Sequence, residues 1–501
     1  MTGTVHTVEA GERSGMERAV RRVLLDATDA YADDRTVVAR LGQYLDRLDE
    51  PLRVAIAGKM KSGKSTLLNA LVGEEIAPTD AGECTRVVTW YEHGARPRVT
   101  LYPVTGPSRE LPIRRVDGRL DLHLGENAPE DVERLSIEWP SRSLRSTTLV
   151  DTPGIDSLSA AVSRRTARFL TPQDEPSSAD AIIYLLRHLH ASDVSFLEAF
   201  RDTAAGQATM VNTIGVLSRA DEVGAGRIDS LISAKTVATR YRHHPVIRQL
   251  CSTVVPMAGL LAQAGRTLRQ AEYADLAELA GQPREVTNAM LLSVGRFVAP
   301  GAPVAVTAER RAALLDRLGI FGVRLAITFV RSGLRDPTAL SEELVRRSGL
   351  DEVRRVLAVQ FTQRSGLLKA RSALLGVDRV LHDHPRQGIE MIGAEVERIL
   401  AGAHEFRELA LLSALRASRV SFAAFGMEED VIAERLLGAA GTSAAERLGL
   451  GSNPTDAELH SANMEAVRTW RTRAESPLID RATKDGCQIV ARSCEGVLAD
   501  L

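Results

Sequence analysis

Several features are scarce or missing in this sequence, and each absence excludes a class of protein. The 501 residues include four widely spread cysteines without a Cys-x-x-Cys pair, so neither a disulfide framework nor a zinc site is indicated. The formal net charge of −2 supplies no global basic field to attract nucleic acid. No apolar run approaches the roughly 20 residues that cross a bilayer, and the first residues do not resemble a signal peptide. We therefore expect a cytoplasmic protein, without a nucleic-acid partner, whose contact with any membrane is peripheral.

Lysine is scarce as well, and its distribution is uneven. Only six of the 63 basic residues are lysine, and three of them, Lys59, Lys61 and Lys64, lie within six consecutive positions. An ammonium group is a compact point charge that suits contact with a phosphate oxygen. The concentration of lysine therefore marks this segment as a candidate phosphate-binding site.

The segment around these lysines has the pattern Gly-x-x-x-x-Gly-Lys-Ser, preceded by an apolar run that favours a strand and followed by one that favours a helix. Glycines in such a loop let backbone amides point at phosphate, and the helix N-terminus adds its partial positive charge. Lys64 is expected to neutralise the β- and γ-phosphate oxygens, and Ser65 is expected to bind Mg²⁺. The predicted phosphate-binding residues are Gly58, Lys59, Met60, Lys61, Ser62, Gly63, Lys64, Ser65 and Thr66.

A second motif, Asp-Thr-Pro-Gly, follows the apolar strand that ends at Val150. In nucleotide hydrolases with this kind of loop, an acid such as Asp151 holds Mg²⁺, and a following amide such as that of Gly154 senses the γ-phosphate. Thr85 lies 21 residues after Lys64, in a loop entering a strand, where its side chain can close over the nucleotide. The predicted metal site is Ser65, Thr85 and Asp151, and Thr85 joins Lys64 as a predicted catalytic residue.

A third motif predicts which base is bound. Ser218-Arg219-Ala220-Asp221 follows an apolar strand where a guanine-reading Asn/Thr-Lys-x-Asp motif is expected. A carboxylate at Asp221 can accept hydrogen bonds from guanine N1–H and the 2-amino group, a donor pair that adenine lacks. Arg219 replaces the usual lysine, and its planar guanidinium is suited to stack on the base. Ser218 belongs to the same predicted site, as do Met257 and Ala258 in the loop after a later strand.

Strands alternate with helical stretches from Leu52 to about Val255, which predicts a mostly parallel sheet with helices on both faces. Apolar residues at helical spacing predict helices from about Met16 to Leu48, and the pattern is helical almost throughout after Arg266. The expected fold is an α/β P-loop GTPase domain flanked on both sides in the sequence by α-helical segments.

The C-terminal part contains no constellation of residues that suggests catalysis. Trp470 and Leu478 are expected to pack inside the helical bundle. Two segments with paired apolar residues near glycine, Phe422–Phe425 and Leu448–Leu450, are candidates for lipid contact. Packing within the bundle is the alternative for both segments.

The motifs together resemble those of the bacterial dynamin-like GTPases, and the isoniazid-induced dynamin-like proteins of mycobacteria and their actinobacterial relatives in particular. The resemblance rests on the stretch from Gly58 to Tyr91, with its Cys-Thr before an apolar strand, and on Asp-Thr-Pro-Gly and Leu-Ser-Arg-Ala-Asp-Glu. It covers residues 51–366, and it implies a dynamin-type GTPase domain over that range. It also implies an α-helical bundle neck or trunk formed by residues 1–50 (N-terminal helices) and 367–501 (C-terminal helices). It implies Mg²⁺-dependent hydrolysis of GTP to GDP and phosphate, pairing of two GTPase domains, and membrane binding or remodelling at the inner face of the cell membrane.

The sequence departs from its relatives inside the phosphate loop. No glutamine follows Asp-Thr-Pro-Gly to orient water as in small GTPases, and Met60 and Lys61 stand where dynamin-like proteins usually have glutamine and serine. We hypothesise that Lys61 is catalytic and supplies in cis the positive charge that an arginine finger provides elsewhere. The alternative is a solvent-exposed loop lysine.

Two other functions compete with a mechanochemical GTPase. A regulatory GTPase of the ribosome-assembly type normally carries a basic RNA-binding domain, and the near-neutral charge argues against it. A nucleotide-binding partner or scaffold subunit of a second dynamin-like protein would bind GTP without turning it over. Turnover that rises with protein concentration distinguishes the mechanochemical enzyme from this subunit.

Overall fold

The computed structural model describes residues 15–78, 86–116, 118–125, 127–154, 179–188, 190, 193–195, 197–198, 212–224, 226–227, 229–451 and 453–499. The described chain forms two compact units. We call residues 52–358 the sheet unit, and residues 15–51 together with 359–499 the helical unit.

The sheet unit is built around nine strands in the order β11-β10-β9-β1-β8-β2-β7-β3-β4. The pairs β1–β8, β1–β9, β9–β10, β10–β11 and β2–β7 are parallel, and the remaining pairs are antiparallel. The predicted mostly parallel sheet is thereby confirmed. The two strands β5 and β6 form a separate antiparallel hairpin that the sequence did not predict. The strands are β1 (Leu52–Gly58), β2 (Thr89–His93), β3 (Arg98–Pro103), β4 (Arg109–Leu111), β5 (Arg114–Val116), β6 (Arg119–Asp121), β7 (Val132–Trp139), β8 (Thr147–Asp151), β9 (Ala181–Leu186), β10 (Thr213–Leu217) and β11 (Val254–Pro256).

Helices occupy most of the rest of the described chain, as the sequence predicts after Arg266. They are α1 (Gly15–Ala30), α2 (Arg35–Asp49), α3 (Lys64–Val72), α4 (Ser230–His243), α5 (Pro245–Leu250), α6 (Gly259–Arg266), α7 (Gln270–Gly281), α8 (Arg284–Met290), α9 (Val294–Val298), α10 (Ala308–Arg331), α11 (Pro337–Ser348), α12 (Leu350–Leu357), α13 (Ser365–Asp383), α14 (Glu390–Gly402), α15 (His404–Arg416), α16 (Glu429–Leu436), α17 (Ala444–Leu448), α18 (Asp456–Ala474) and α19 (Arg481–Ala499). A π-helix, Ala358–Thr362, follows α12, and the boundary between the two units falls inside it.

Both faces of the central sheet are covered. Ala55 and Ala57 on β1 share an apolar cluster with Ala234 on α4. Val54 and Ile56 point to the opposite face, because successive side chains of a strand alternate, and they are buried as well. Burial on both sides explains why β1 has the nearly continuous apolar sequence that the prediction used.

The last helix of the sheet unit, α12, is held at two points. Gly349, which begins it, has a left-handed backbone, and a Cβ added there would overlap the carbonyl oxygen of Pro256. The guanidinium of Arg354 donates hydrogen bonds to the carbonyls of Ala70 and Leu71, 3.2 Å away, at the C-terminal end of α3. A cation at this position satisfies carbonyls that the helix itself leaves unpaired.

The helical unit contains a cluster formed by helices from both ends of the chain, which confirms the predicted bundle. Leu24 on α1 and Leu41 on α2 pack with Leu374 on α13. The approach of α2 to α13 is close, because a Cβ added at Gly376 would overlap the ring of Tyr44. A larger residue at this glycine therefore cannot be accommodated without separating the two helices.

A second apolar cluster of the helical unit contains Phe422, Leu448 and Trp470, for which the sequence predicted packing or lipid contact. Trp470 is buried, as predicted, and its ring centroid lies 4.8 Å from that of Phe422. Phe422 and Leu448 are both buried in this cluster, and Phe425 and Leu450 are partly buried and pack against it, which favours packing within the bundle for both segments. The prediction for Leu478 was wrong: its side chain is 91% exposed, because the chain turns between α18 and α19 there. Within the described ranges, no helix is both long and apolar enough to cross a membrane.

Candidate nucleotide-binding site

The phosphate loop connects β1 to α3 at the carboxyl edge of the sheet. Gly58 lies beside Leu185 of β9, and a Cβ added at Gly58 would stand 2.7 Å from the carbonyl oxygen of Leu185. Gly63 has φ = +96° and directly precedes α3, whose first turn carries unpaired amides. The ammonium of Lys64 donates to the carbonyls of Gly58 and Lys59, 3.4 and 3.3 Å away, and so lies within the curve of the loop.

The predicted metal-binding residues Ser65 and Asp151 lie together. Ile56 of β1 pairs with Asp151 of β8, and the Ser65 hydroxyl donates to Asp151 Oδ2 at 2.9 Å. The other carboxylate oxygen, Oδ1, is buried without a hydrogen-bond partner in the described chain. A buried oxygen of this kind suits a hydrated Mg²⁺, which prefers one or two carboxylates together with phosphate oxygens. The third predicted ligand, Thr85, lies outside the described residues.

Burial controls the charges of this group. Burial raises the pKa of the Asp151 carboxyl, and the nearby Lys64 ammonium lowers it by a smaller amount. Burial likewise lowers the pKa of the Lys64 ammonium, against the attraction of Asp151. Both ionised forms are therefore poorly solvated in this cleft, and each is compensated in part by the charge of the other.

The second motif contacts the phosphate loop through its glycine. A Cβ added at Gly154 would stand 2.8 Å from the backbone nitrogen of Met60. The Gly154 backbone therefore lies directly against the loop at the position where a γ-phosphate sensor is predicted. The Met60 side chain is 41% exposed there.

The predicted base-reading residues enclose a cavity of about 150 Å³ next to the loop. The amide of Ala220 donates to the carbonyl of Met257 at 3.1 Å, which joins the two base-reading loops. Ala258 is buried and its amide donates to the carbonyl of Ser348, so it supports the cavity without lining it. The lining residues are Ser62, Gly63, Thr66, Leu67, Leu185, Val216, Ser218, Arg219, Asp221, Glu222, Met257, Gly259 and Leu260.

The side chains of Asp221 and Arg219 have different surroundings. Burial raises the pKa of the Asp221 carboxyl, and the charge of Arg219 opposes this only weakly. The Arg219 guanidinium donates to the carbonyl of Lys61 at 3.1 Å and to the carboxylate of Glu222 at 2.7 Å. Arg219 thus reaches from the base-reading loop to the phosphate loop, while Lys61 itself is exposed.

The structure adds site residues that the sequence analysis missed. Asp193 is 2% exposed, and one of its carboxylate oxygens stands 3.8 Å from the ammonium of Lys59. Glu222 pairs with Arg187 at 2.5 Å in addition to Arg219. Asp193 belongs to no recognisable motif, and Glu222 ends the Leu-Ser-Arg-Ala-Asp-Glu stretch without a role predicted for it, because the contacts with Lys59 and Arg187 depend on which strands are neighbours in the sheet.

The sheet order, the phosphate loop, the acid at the end of β8 and the cavity beside Asp221 define the class as a P-loop GTPase domain. The Dynamin family model matches residues 54–220. Isoniazid-induced protein IniC of Mycobacterium tuberculosis strain H37Rv is 44% identical over 474 residues, which cover 94% of this chain and 94% of that protein. This chain therefore belongs to the dynamin family and is a bacterial dynamin-like protein.

Other similarities are more limited. The bacterial dynamin-like protein of Nostoc punctiforme is 32% identical over 119 residues, covering 22% of this chain and 17% of that protein. A solved structure of an oligomerised bacterial dynamin pair is 12% identical, with a TM-score of 0.31, and covers 97% of this chain and 75% of that chain. At that score the likeness adds nothing to the assignment.

Proposed function

We propose that this protein hydrolyses GTP to GDP and phosphate with Mg²⁺. The observation that carries the proposal is the placement of Lys64, the Ser65–Asp151 pair and the cavity beside Asp221 along one edge of the sheet. This edge lies at the carboxyl ends of parallel strands, where open α/β sheets bind their ligands. Membership of the dynamin family supports the same conclusion.

Each group has a proposed role. The amides of residues 58–66 cradle the phosphates, and Lys64 neutralises the β- and γ-phosphate oxygens. Ser65 and Asp151, with Thr85, hold the Mg²⁺, which neutralises charge that develops on the phosphate oxygens. The amide of Gly154 contacts the γ-phosphate, and Lys61 provides the additional cation for hydrolysis. Ser218, Arg219, Asp221 and Met257 line the guanine site, and the buried Ala258 supports it.

We extend the proposal to self-association and membranes. Two GTPase domains, each within residues 51–366, pair through their nucleotide faces, while residues 1–50 and 367–501 form a neck that contacts lipid at the inner face of the cell membrane. The helical unit exposes apolar residues at one of its ends: Met427 is 99% exposed and Leu478 is 91% exposed. Both lie within five residues of the same ion pair, Arg473–Glu429, so they occupy the same end of the unit. Two exposed apolar side chains at one end suit contact with a lipid surface.

A second candidate function is that of a nucleotide-binding partner subunit for another dynamin-like protein. The observation that favours it is the exposed methionine at position 60, where the family usually has glutamine. An apolar side chain cannot orient an attacking water through a hydrogen bond. In this case GTP would bind without appreciable turnover.

The deciding experiment measures GTP turnover per molecule at increasing protein concentration, with and without liposomes. A rate that rises with concentration supports the self-associating GTPase. Nucleotide binding without turnover supports the partner subunit, and absence of guanine-nucleotide binding contradicts both. The Lys64→Ala variant is the matched control, because it removes the charge that holds the phosphates and should abolish binding.

A further inference from the structure

A buried carboxylate beside the phosphate loop has no role in the site described so far. Asp193 is 2% exposed and follows β9, the strand next to β1. Its Oδ1 accepts a hydrogen bond from the Tyr184 hydroxyl at 2.7 Å, and its Oδ2 accepts one from the His190 amide at 2.9 Å. A buried carboxylate that accepts two hydrogen bonds keeps a fixed orientation.

The side chain that faces this carboxylate belongs to the phosphate loop. Lys59 directly follows Gly58, and its ammonium stands 3.8 Å from Asp193 Oδ2. This lysine side chain is 30% exposed, so Lys59 keeps contact with solvent although the acid it faces is buried. The backbone carbonyl of Lys59 accepts from the Lys64 ammonium at 3.3 Å, which places the two lysines on the same curve of the loop.

The positive charges of the phosphate loop suggest a function for the Lys59–Asp193 pair. Lys59, Lys61 and Lys64 repel one another within six positions, and the charge of Asp151 acts on Lys64. Asp193 compensates Lys59 at a separation longer than a tight charge-assisted hydrogen bond of about 2.7–2.9 Å. A terminal phosphate carries more negative charge than one carboxylate and can compete for the same ammonium.

We propose that Lys59 is a second phosphate-binding lysine, held by Asp193 until the γ-phosphate of a nucleoside triphosphate draws it away. The inference rests on the proposed function, since it concerns the same nucleotide. GDP lacks the group that competes with Asp193, so Lys59 stays paired when GDP is bound. The pair therefore distinguishes GTP from GDP, in addition to the contacts made by Lys64.

The surroundings of Asp193 allow Lys59 to leave. A buried acid that loses its only partner is strongly destabilising. Asp193 retains the Tyr184 hydroxyl and the His190 amide when the ammonium moves, so its carboxylate does not become unpaired. Tyr184 is itself fixed in β9, and the acid therefore stays in place while the flexible lysine side chain moves.

The test compares the affinities of the full-length protein for fluorescent GDP and for a fluorescent non-hydrolysable GTP analogue, both with Mg²⁺. We expect Lys59→Met to lower the preference for the triphosphate about tenfold, the loss typical of one hydrogen bond to a charged group, with GDP affinity nearly unchanged. Lys59→Arg keeps the charge and should retain most of the preference. Asp193→Asn removes the negative charge that faces the lysine and should raise the preference about threefold, a change that loss of structure alone cannot produce.

The outcomes separate this inference from the proposed function. Equal weakening of both nucleotides by Lys59→Met, or no change with either, would overturn the role of Lys59. A fall in triphosphate preference in Asp193→Asn would overturn the competition between Asp193 and the γ-phosphate. A wild-type protein that binds neither guanine nucleotide would instead contradict the proposed function. If Asp193→Asn does not fold, Tyr184→Phe removes one of the two hydrogen bonds that satisfy the carboxylate after the ammonium leaves, so a fall in triphosphate preference supports the competition and a rise overturns it.

Discussion

The guanidinium of Arg219 donates a hydrogen bond to the carbonyl oxygen of Lys61 across 158 residues of sequence. Both residues have left-handed backbones, with φ of 53° and 60°, which is uncommon outside glycine. The second donor group of Arg219 contacts Glu222, so the guanidinium is held at both ends. A lysine in this position has only one ammonium group, whereas the arginine fork binds two acceptors at once. The base-reading loop and the phosphate loop are therefore joined directly.

Replacing Asp221 by asparagine should change the preferred base. The carboxylate is suited to accept from guanine N1–H and the 2-amino group, whereas an asparagine amide can donate to a carbonyl at that position, as in xanthine. We expect Asp221→Asn to weaken GDP binding by at least about 100-fold, because buried polar groups are left unpaired, and to strengthen binding of xanthosine diphosphate. Competition titrations with both nucleotides measure the switch. Unchanged GDP affinity would show that Asp221 does not read the base.

Replacing Lys61 by alanine tests the proposed catalytic cation. Its side chain is exposed while its backbone carbonyl is held by Arg219, so the substitution removes charge without removing that contact. We expect kcat for GTP to fall about tenfold or more, since an added cation acts on charge in the transition state, while the affinity for GDP stays constant. Lys61→Arg is the charge-preserving control. Wild-type kcat with the same dependence on protein concentration would leave Lys61 as an ordinary loop lysine.

The raised pKa of Asp151 predicts opposite effects of pH on binding and on stability. Mg²⁺ needs the ionised carboxylate, so the affinity for Mg²⁺–nucleotide should fall as pH decreases, at a higher pH than an ordinary aspartate of pKa about 3.9 would require. Without ligand the folded protein binds this proton more tightly than the unfolded chain. The free energy of unfolding should therefore decrease as pH rises from about 3.9 through the raised pKa.

Titrations with Mg²⁺ and with EDTA separate this effect from that of Asp221, whose pKa is also raised by burial. The part of the pH dependence of nucleotide affinity that comes from Asp151 should appear only with Mg²⁺, and Asp151→Asn should remove it. Denaturant unfolding across the same pH range measures the effect on stability. Identical pH profiles with Mg²⁺ and with EDTA would contradict the proposed role of Asp151.

Exposed apolar residues of the helical unit predict the site of lipid contact. The double variant Met427→Asp with Leu478→Asp should lose flotation with liposomes and should unfold at the same denaturant concentration as wild type, because both side chains are already exposed. Leu448→Asp is the contrasting variant: it places a charge in a buried position and should cost about 3 kcal/mol of stability or more. Unchanged flotation of the double variant would exclude this end of the unit from lipid contact.

The parts of the site that could be predicted are those carried by consecutive residues. The phosphate loop and the Asp-Thr-Pro-Gly motif are each a few consecutive residues at the end of a buried strand, Gly58–Ser65 and Asp151–Gly154. An apolar run followed by the motif is therefore enough to identify each of them. Asp193 and Glu222 could not be found in this way. Asp193 meets Lys59, and Glu222 meets Arg187, only through the order of the strands, which single-sequence patterns do not specify; the pair of Glu222 with Arg219 is local.

The incorrect prediction in the helical unit has a similar physical cause. Leu478 lies in a stretch whose apolar spacing continues from α18 to α19, and periodicity alone does not show that the chain turns there. The missed hairpin of β5 and β6 has strands of three residues each, too short for an alternating pattern to emerge. The periodicity of apolar residues therefore predicted the long helices and strands, but not the turn between α18 and α19 or the short hairpin.

The two attachments of α12 have a mechanical consequence. Gly349 lies against the backbone of Pro256, at the end of β11 beside the proposed guanine cavity. Arg354 donates hydrogen bonds to the C-terminal end of the helix that begins at Lys64. One residue after this short rod ends, the chain crosses into the helical unit through the π-helix Ala358–Thr362. A nucleotide that moved one of these attachments relative to the other would have to tilt α12 or break the hydrogen bonds of Arg354. Movements at the base and at the phosphates would therefore act on the same helix.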